Sequence, residues 1–369
     1  MNVSLIVDSL ASAGGQRKCV NLAIGLKALG HNIQVLYYHG YHDLRPALQR
    51  SDIGGSYVSI PAGVVRRIFF VPYFLFQIKK TQPDVLIAFL DSSSILASLY
   101  RVFQRQCIII HSHGSARFFP PRDKFYLAFE RYFGFLHDFC VTNSYEMWAY
   151  LKDHGCDVKK VCVIKNGIDT ELFSQNRSKG NKTAQKSNHI KFVMVSHYSV
   201  EKNQRLVVDA VNRLSTAEQK MLKIKCIGAI SDSKYYESLL SYIEESGLSD
   251  IISFSGPIND VPKFLVSGDW FLHPSLYEGL PNAVLEAMAC ELPIIVSDYP
   301  STKRLVDNDV NGYWFKNGSL KSLVAVLRRA LKIPQDIRYK MGNEGRKMVE
   351  KHYNLLAMAR NFEELFHKT

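Results

Sequence analysis

Phe271-Leu272-His273-Pro274-Ser275-Leu276-Tyr277-Glu278-Gly279-Leu280-Pro281-Asn282-Ala283-Val284-Leu285-Glu286-Ala287-Met288-Ala289 is the stretch on which the reading of the whole chain turns. It carries two carboxylates, Glu278 and Glu286, with seven residues between them. Pro281 suits the first position of a helix, because it has no N–H to leave unpaired and its φ is already near helical. Glu278 then sits in a loop just before a helix, and Glu286 one to two turns into it. The free N–H groups of a first helical turn, together with the helix dipole, make an anion site. A phosphate held there, flanked by carboxylates able to hold hydroxyls, is what a nucleotide sugar needs. The same spacing also fits an acidic loop residue and a capping or surface glutamate, so the rest of the chain has to decide.

Outward from this stretch, strands and helices alternate. Ile190–Val195, Lys223–Ile227, Ile251–Phe254, Trp270–His273 and Ile294–Val296 read as short apolar strands. The first half repeats the order. Val3–Val7 is a strand, Ser9 to Lys18 a loop with Gly14-Gly15, Cys19 to Leu29 a helix ended by Gly30, and Ile33–Tyr38 a strand. Asp84–Phe89, Cys107–His111, Phe139–Thr142 and Val161–Ile164 continue the set. Such alternation favours parallel sheets with right-handed crossovers, so the expected class is α/β with two Rossmann-like domains.

Asn176 to His189 is polar and has little to bury, which reads as a linker. From Leu320 the chain reads as helical, the last helix running from about Leu355 to His367. The expected boundaries are an N-terminal domain at 1–172, a linker at 173–189, a second domain at 190–352, and at 353–369 a helix packing back toward the first domain. Two such domains place a cleft between them, and open parallel sheets bind ligands beyond the carboxyl ends of their strands.

The chain's 369 residues suit two domains, and 47% hydrophobic with 22% charged residues is a soluble globular balance. The net charge of +12 fits an anionic partner: nucleotide, nucleic acid or anionic membrane surface. Seven cysteines, an odd number with no Cys-x-x-Cys spacing, read as reduced thiols in a cytoplasmic protein. The N-terminus has no basic leader, and Asp8 interrupts its apolar run, so no signal peptide is expected. Ile68 to Ile78 is too short to span a membrane and contains Pro72. No helix-turn-helix, RNA-binding or zinc-finger pattern is present, so nucleic acid is not the expected partner.

Glycines at Gly14-Gly15 let a phosphate or sugar approach the backbone. They do not form Gly-x-Gly-x-x-Gly, and no Gly-Lys-Ser/Thr occurs, which disfavours dinucleotide and P-loop readings. Lys202, seven residues past Val195, can neutralise a diphosphate. His111 and His113, two residues apart, face one side of an extended chain. Zinc would need further ligands there, and no carboxylate lies nearby in the sequence. One of these histidines could bond a sugar or position an acceptor. Val64 to Lys80 and Arg117 to Phe139 mix aromatic and basic residues. That suits helices covering a sheet, and it also suits an interface with anionic lipid; Pro72 is expected to break the first helix.

Ser275-Leu276-Tyr277-Glu278-Gly279-Leu280-Pro281-Asn282 through Glu286-Ala287-Met288-Ala289-Cys290, then Pro293-Ile294-Ile295-Val296-Ser297, closely resembles the Glu-x7-Glu segment of the retaining family 4 glycosyltransferases. Lys165-Asn166-Gly167-Ile168-Asp169, Thr142-Asn143-Ser144, Gly14-Gly15, Glu201-Lys202-Asn203 and Asn311-Gly312-Tyr313, read as a turn, extend the resemblance in order over nearly the whole chain. It implies the GT-B fold, two Rossmann-like domains facing across a cleft. Glu278 would hold a donor-sugar hydroxyl beside the reacting carbon, and Glu286 the ribose hydroxyls. Lys202 and the backbone around Gly279, Leu280, Pro281 and Asn282 would hold the diphosphate. Gly14-Gly15 would close over the phosphates, and the base would lie against Gly256 and Ile258. His113 matches the family's sugar-facing histidine better than His111, with the register between the two left open.

The resemblance further implies no cofactor and no metal ion, the departing charge being stabilised by Lys/Arg and helix N-termini. Two positions depart from the family: His197 stands where an arginine usually pairs with the lysine, and Glu291 where a glycine is common. A histidine is neutral much of the time near pH 7, which shifts the task toward another basic residue such as Arg205. The expected activity is transfer from a nucleoside-diphosphate sugar, UDP-linked, to a glycan or polyprenyl-linked glycan in lipopolysaccharide or O-antigen-type polysaccharide synthesis. The expected location is the inner face of the cell membrane, as a peripheral protein. A nucleotide-sugar epimerase, a glycan phosphorylase and a non-catalytic sugar-nucleotide binder are the rivals; no lysine motif for a pyridoxal cofactor is recognisable.

Overall fold

The apolar runs of the first half pair into a parallel sheet of seven strands in the computed structural model, which describes residues 1–11, 13–59, 64–113, 122–174 and 189–368. The strands are β1 (Asn2–Val7), β2 (Asn32–Tyr37), β3 (Gly54–Tyr57), β4 (Val85–Phe89), β5 (Ile108–Ser112), β6 (Phe139–Thr142) and β7 (Val161–Val163), in the order β3-β2-β1-β4-β5-β6-β7. Helices cover the sheet, so a strand such as Val85-Leu86-Ile87-Ala88-Phe89 is buried at every residue and apolar throughout. β3 was absent from the sequence reading: Gly54-Gly55-Ser56-Tyr57 is a short edge strand with nothing apolar in its first three residues.

The second half forms a parallel sheet of six: β8 (Ile190–Val195), β9 (Leu222–Ile227), β10 (Ile252–Ser255), β11 (Trp270–His273), β12 (Ile294–Ser297) and β13 (Gly312–Phe315). Its order is β10-β9-β8-β11-β12-β13. Asn311-Gly312-Tyr313, read as a turn, instead leads into strand β13. A Cβ on Gly312 would collide with the Ile294 carbonyl, so glycine is what lets β13 approach β12. The α/β class with two Rossmann-like sheets is therefore as expected.

The chain divides into a first unit, Met1–Gly167 with Tyr353–Thr369, and a second, Ile168–His352. The polar stretch read as a linker lies outside the described residues, His189 excepted. None of the seven cysteines pairs with another. Among the described residues no helix is long and apolar enough to cross a membrane.

Two local expectations are corrected. The first helix spans Gly14–Ala28, where periodicity starts it at Cys19. Gln16 and Lys18 are buried on it beside Cys19 and Val20, so polar side chains on the inward face hide its first turn from a hydrophobic pattern. The helix Val64–Lys80 also runs through Pro72 unbroken. The proline removes one ladder bond, while Phe74 and Ile78 beyond it are fully buried and hold the helix on the sheet.

The C-terminal helix Leu355–Glu363 packs on the helix Gly14–Ala28 within the first unit. His31 Nε2 lies 2.9 Å from Glu363 Oε1, and Gly167 N–H points at Met358 Sδ, 3.2 Å away. A Cβ on Gly25 would sit 2.8 Å from the Leu355 carbonyl oxygen and 2.9 Å from Ala359 Cβ. Backbone cannot step aside as a side-chain tip can. Gly25→Ala should therefore cost about 1–3 kcal/mol, read as a lower urea midpoint; an unchanged midpoint would contradict this close packing.

Candidate active site

In the second sheet the strand order reverses between β8 and β11, and the segments leaving their carboxyl ends meet at that point. From β8 the chain passes through a short turn, Val200–Lys202, and Asn203 at φ 54° into the helix Gln204–Asn212. From β11 it runs through Pro274–Pro281 into the helix Asn282–Ala289. Leu276 N–H donates to Glu201 O at 2.9 Å, and Asn317 Nδ2 donates to Leu276 O at 2.6 Å. Ser297 Oγ donates to Ser275 O, and Ser301 Oγ to Glu278 O at 3.4 Å. The Glu278 loop is thus tied on three sides.

Tyr198 ties the other loop. Its hydroxyl accepts from Ser255 N–H at 2.9 Å and is placed to donate to Ser255 O at 2.8 Å or Cys226 O at 3.0 Å. Burial pushes its pKa up, so it keeps its proton. This fixes the β8 segment against the loop after β10 that holds Gly256 and Ile258. Ile258 is exposed, and a Cβ on Gly256 would meet open space.

Glu278 is the centre. Its Oε1 takes the Lys202 ammonium, Ser275 Oγ at 3.2 Å and His273 Nε2 at 3.3 Å. Every contact to the carboxylate among the described residues goes to that oxygen, which leaves Oε2 as an acceptor. Burial pushes the Glu278 carboxyl up, but the Lys202 charge and the contacts from His273 outweigh it and hold it at about 2. Burial lowers the pKa of His273 against the raising effect of Glu278, and its contact with Oε1 is not a well-formed hydrogen bond. Lys202 and Glu278 are both largely buried and neutralise each other.

Sequence reasoning paired His197 with Lys202. His197 Nε2 lies 3.3 Å from Glu201 Oε1, and burial and then the Lys202 charge lower its pKa, so it is neutral at pH 7. Arg205 stacks its guanidinium 3.7 Å over Tyr242. Neither adds a fixed charge to the Lys202–Glu278 pair. Pro281 is the N-cap and not the first helical residue: its φ of −76° is helical, but its ψ of 109° is extended. Leu280 and Glu286 are buried, Gly279 lies in the loop, and Asn282 opens the helix.

Gly14, Gly15 and His113 belong to the first unit. The glycines are the first two residues of their helix, whose N-cap is Ala13; a Cβ on Gly15 would lie 2.8 Å from Leu90 Cδ2. His111 is fully buried, with Nδ1 2.9 Å from Glu130 Oε1 and Nε2 3.2 Å from Ser98 Oγ. Both its nitrogens are engaged, so it is a structural histidine. His113 lies one residue past β5, with Nδ1 3.9 Å from Asp91 Oδ1 and Nε2 3.6 Å from Glu130 Oε1. A carboxylate is thus beside the histidine pair after all, brought there by the fold from the helix Arg122–Phe133.

Tyr198, His273, Ser275 and Glu130 were not singled out from the sequence. The one available signal was Glu130, a carboxylate among Leu127, Phe129 and Phe133.

The pair supplies a stability test. Glu278 is depressed from its ordinary 4.5, so its contribution is complete above that value and is lost as pH falls toward about 2. A Lys202→Met, Glu278→Gln double-mutant cycle should give a coupling of about 1–3 kcal/mol between about pH 5 and 8, fading at lower pH. Additive single effects at pH 7 would contradict the pairing.

Comparison with known proteins shows what this chain is similar to. The family model for glycosyl transferases group 1 matches residues 175–348, and that for glycosyltransferase family 4 matches residues 12–172. The UDP-Gal:alpha-D-GlcNAc-diphosphoundecaprenol alpha-1,3-galactosyltransferase of Escherichia coli is 26% identical over 68% of this chain and 67% of its own. The putative colanic acid biosynthesis glycosyltransferase WcaL of Salmonella typhimurium is 24% identical over 60% of this chain. The chain spans about two thirds of the first relative's length and 54% of the second's. Anabaena HepE, solved in complex with UDP and glucose, superposes with a TM-score of 0.86 over 100% of both chains at 16% identity, which shows a shared fold.

Proposed function

Because this chain belongs to the family 4 glycosyltransferases of the GT-B fold, we propose that it is a retaining enzyme moving a sugar from a UDP-linked donor to a lipid-linked glycan in cell-surface polysaccharide synthesis. The observation that carries the reading is the Lys202–Glu278 pair at the strand-order reversal, with Glu278 Oε2 left as an acceptor. The E. coli relative's name gives it a UDP-sugar donor and a diphosphoundecaprenol-linked acceptor, which supports both choices.

The incoming diphosphate takes the Lys202 ammonium and the N–H groups at the start of the helix Asn282–Ala289. Glu278 then accepts a sugar hydroxyl, and Glu286 holds the ribose. The leaving charge is stabilised by fixed donors and needs no metal ion at the diphosphate. Acceptor attack occurs on the face from which the nucleotide departs. The departing phosphate oxygen takes the acceptor's proton, so no separate strong base is required. His113 and Gly14-Gly15 keep the roles the resemblance gives them, as proposals.

Glu278→Ala and Lys202→Ala should each slow transfer roughly a hundredfold or more, a loss of about 2.7–4 kcal/mol. The assay is transfer to a lipid-linked glycan, with the donor first chosen by thermal shift across UDP-, GDP- and ADP-sugars. Full activity in either variant contradicts the assignment.

Membrane association rests on the helix Val64–Lys80. Phe69, Tyr73 and Phe76 are exposed on it, with Lys79 and Lys80 at its end. Co-sedimentation with anionic vesicles should fall as salt rises. Equal binding to neutral and anionic vesicles contradicts the electrostatic part.

A further inference from the structure

The first unit holds a group of buried titratable side chains that the proposed reaction leaves unused. His111 is the second-last residue of β5, Glu130 comes from the helix Arg122–Phe133, and His137 from the segment leading into β6. All three are buried, and one ligating atom from each lies within 4.8 Å of the others. His111 Nδ1 is 2.9 Å from Glu130 Oε1, and His137 Nε2 is 3.5 Å from Glu130 Oε2. His113 Nε2 approaches Oε1 to 3.6 Å.

These separations discriminate. An N–H···O hydrogen bond spans about 2.7–3.2 Å, which only the His111 contact meets. A tetrahedral ion with bonds of about 2.0–2.1 Å to nitrogen and oxygen sets its ligands about 3.3–3.4 Å apart. The 3.5 Å between His137 Nε2 and Glu130 Oε2 is close to that, while the 2.9 Å His111–Glu130 hydrogen bond has to open when the ion enters. Burying a carboxylate among imidazoles is costly unless its charge is answered, and no lysine or arginine pairs with Glu130 among the described residues. Among the described residues, His137 Nδ1 is buried without a hydrogen-bond partner. Ser98 Oγ at 3.2 Å from His111 Nε2 is the outer partner a ligating imidazole uses to fix its tautomer.

We propose that His111, Glu130 and His137 bind one divalent first-row transition ion, zinc foremost, with the fourth position facing His113. Two neutral imidazoles and a carboxylate are a donor set zinc accepts. The ion is structural: it clamps β5, the helix Arg122–Phe133 and the approach to β6, and it shares no residue with the Lys202–Glu278 group.

The test uses the full chain, free of any tag and purified without chelator. Elemental analysis should find about one zinc per chain. After chelation, the thermal midpoint should fall, and titration with cobalt(II) should raise the visible absorption bands of a tetrahedral site. His137→Ala should lose both the zinc and the cobalt bands while keeping its far-ultraviolet circular dichroism. If that variant does not fold, the cobalt titration of the unaltered chain decides alone. Zinc below about a tenth of an equivalent with no cobalt bands overturns the proposal, and so does a folded His137→Ala protein that keeps its metal.

Discussion

The buried ion pair of Lys202 and Glu278 is the constraint on which the rest of the site depends. Two opposite charges out of water are tolerable only together; removing one strands the other at a cost of about 3–5 kcal/mol. The fold must therefore deliver both side chains to one point. It does so with the reversal of strand order, where β8 and β11 lie side by side and their following loops meet. Everything near the pair fixes those loops: Leu276 on Glu201, Asn317 on Leu276, Ser297 on Ser275, and Tyr198 on Ser255.

Among the described residues, Lys202 is the cation paired with Glu278. His197 is neutral and leans on Glu201, and Arg205 lies against Tyr242. The proposed diphosphate would therefore draw on Lys202. In that proposal, as the lysine charge is shared with the phosphates, Glu278 loses part of its partner and gains a sugar hydroxyl. In the proposed reaction nucleotide and sugar recognition are coupled through this lysine, with Ser275 and His273 beside the carboxylate.

Much of this was legible in the sequence because parallel strands are apolar on both faces, and runs such as Val85–Phe89 and Ile294–Ser297 announce themselves. Glu278 and Lys202 could be found because each lies in the segment that follows a strand. What escaped notice obeys other rules. β3 is a glycine-bearing edge, and the first turn of the helix at Gly14 hides behind buried Gln16 and Lys18. Pro72 breaks a local preference that the burial of Phe74 and Ile78 overrides. Glu130 reaches His111 across nineteen positions, and His273 reaches Glu278 only through the shape of a loop. Such meetings are set by tertiary geometry, on which sequence spacing is silent.

Calorimetric titration of Glu278→Gln separates the two proposed tasks, sugar recognition by Glu278 and diphosphate recognition by Lys202. The ligands are the nucleoside diphosphate alone and the matching nucleotide sugar. The account predicts that affinity for the diphosphate is retained, while the added affinity that the sugar confers is lost. Equal weakening of both ligands, or no weakening of either, would contradict it.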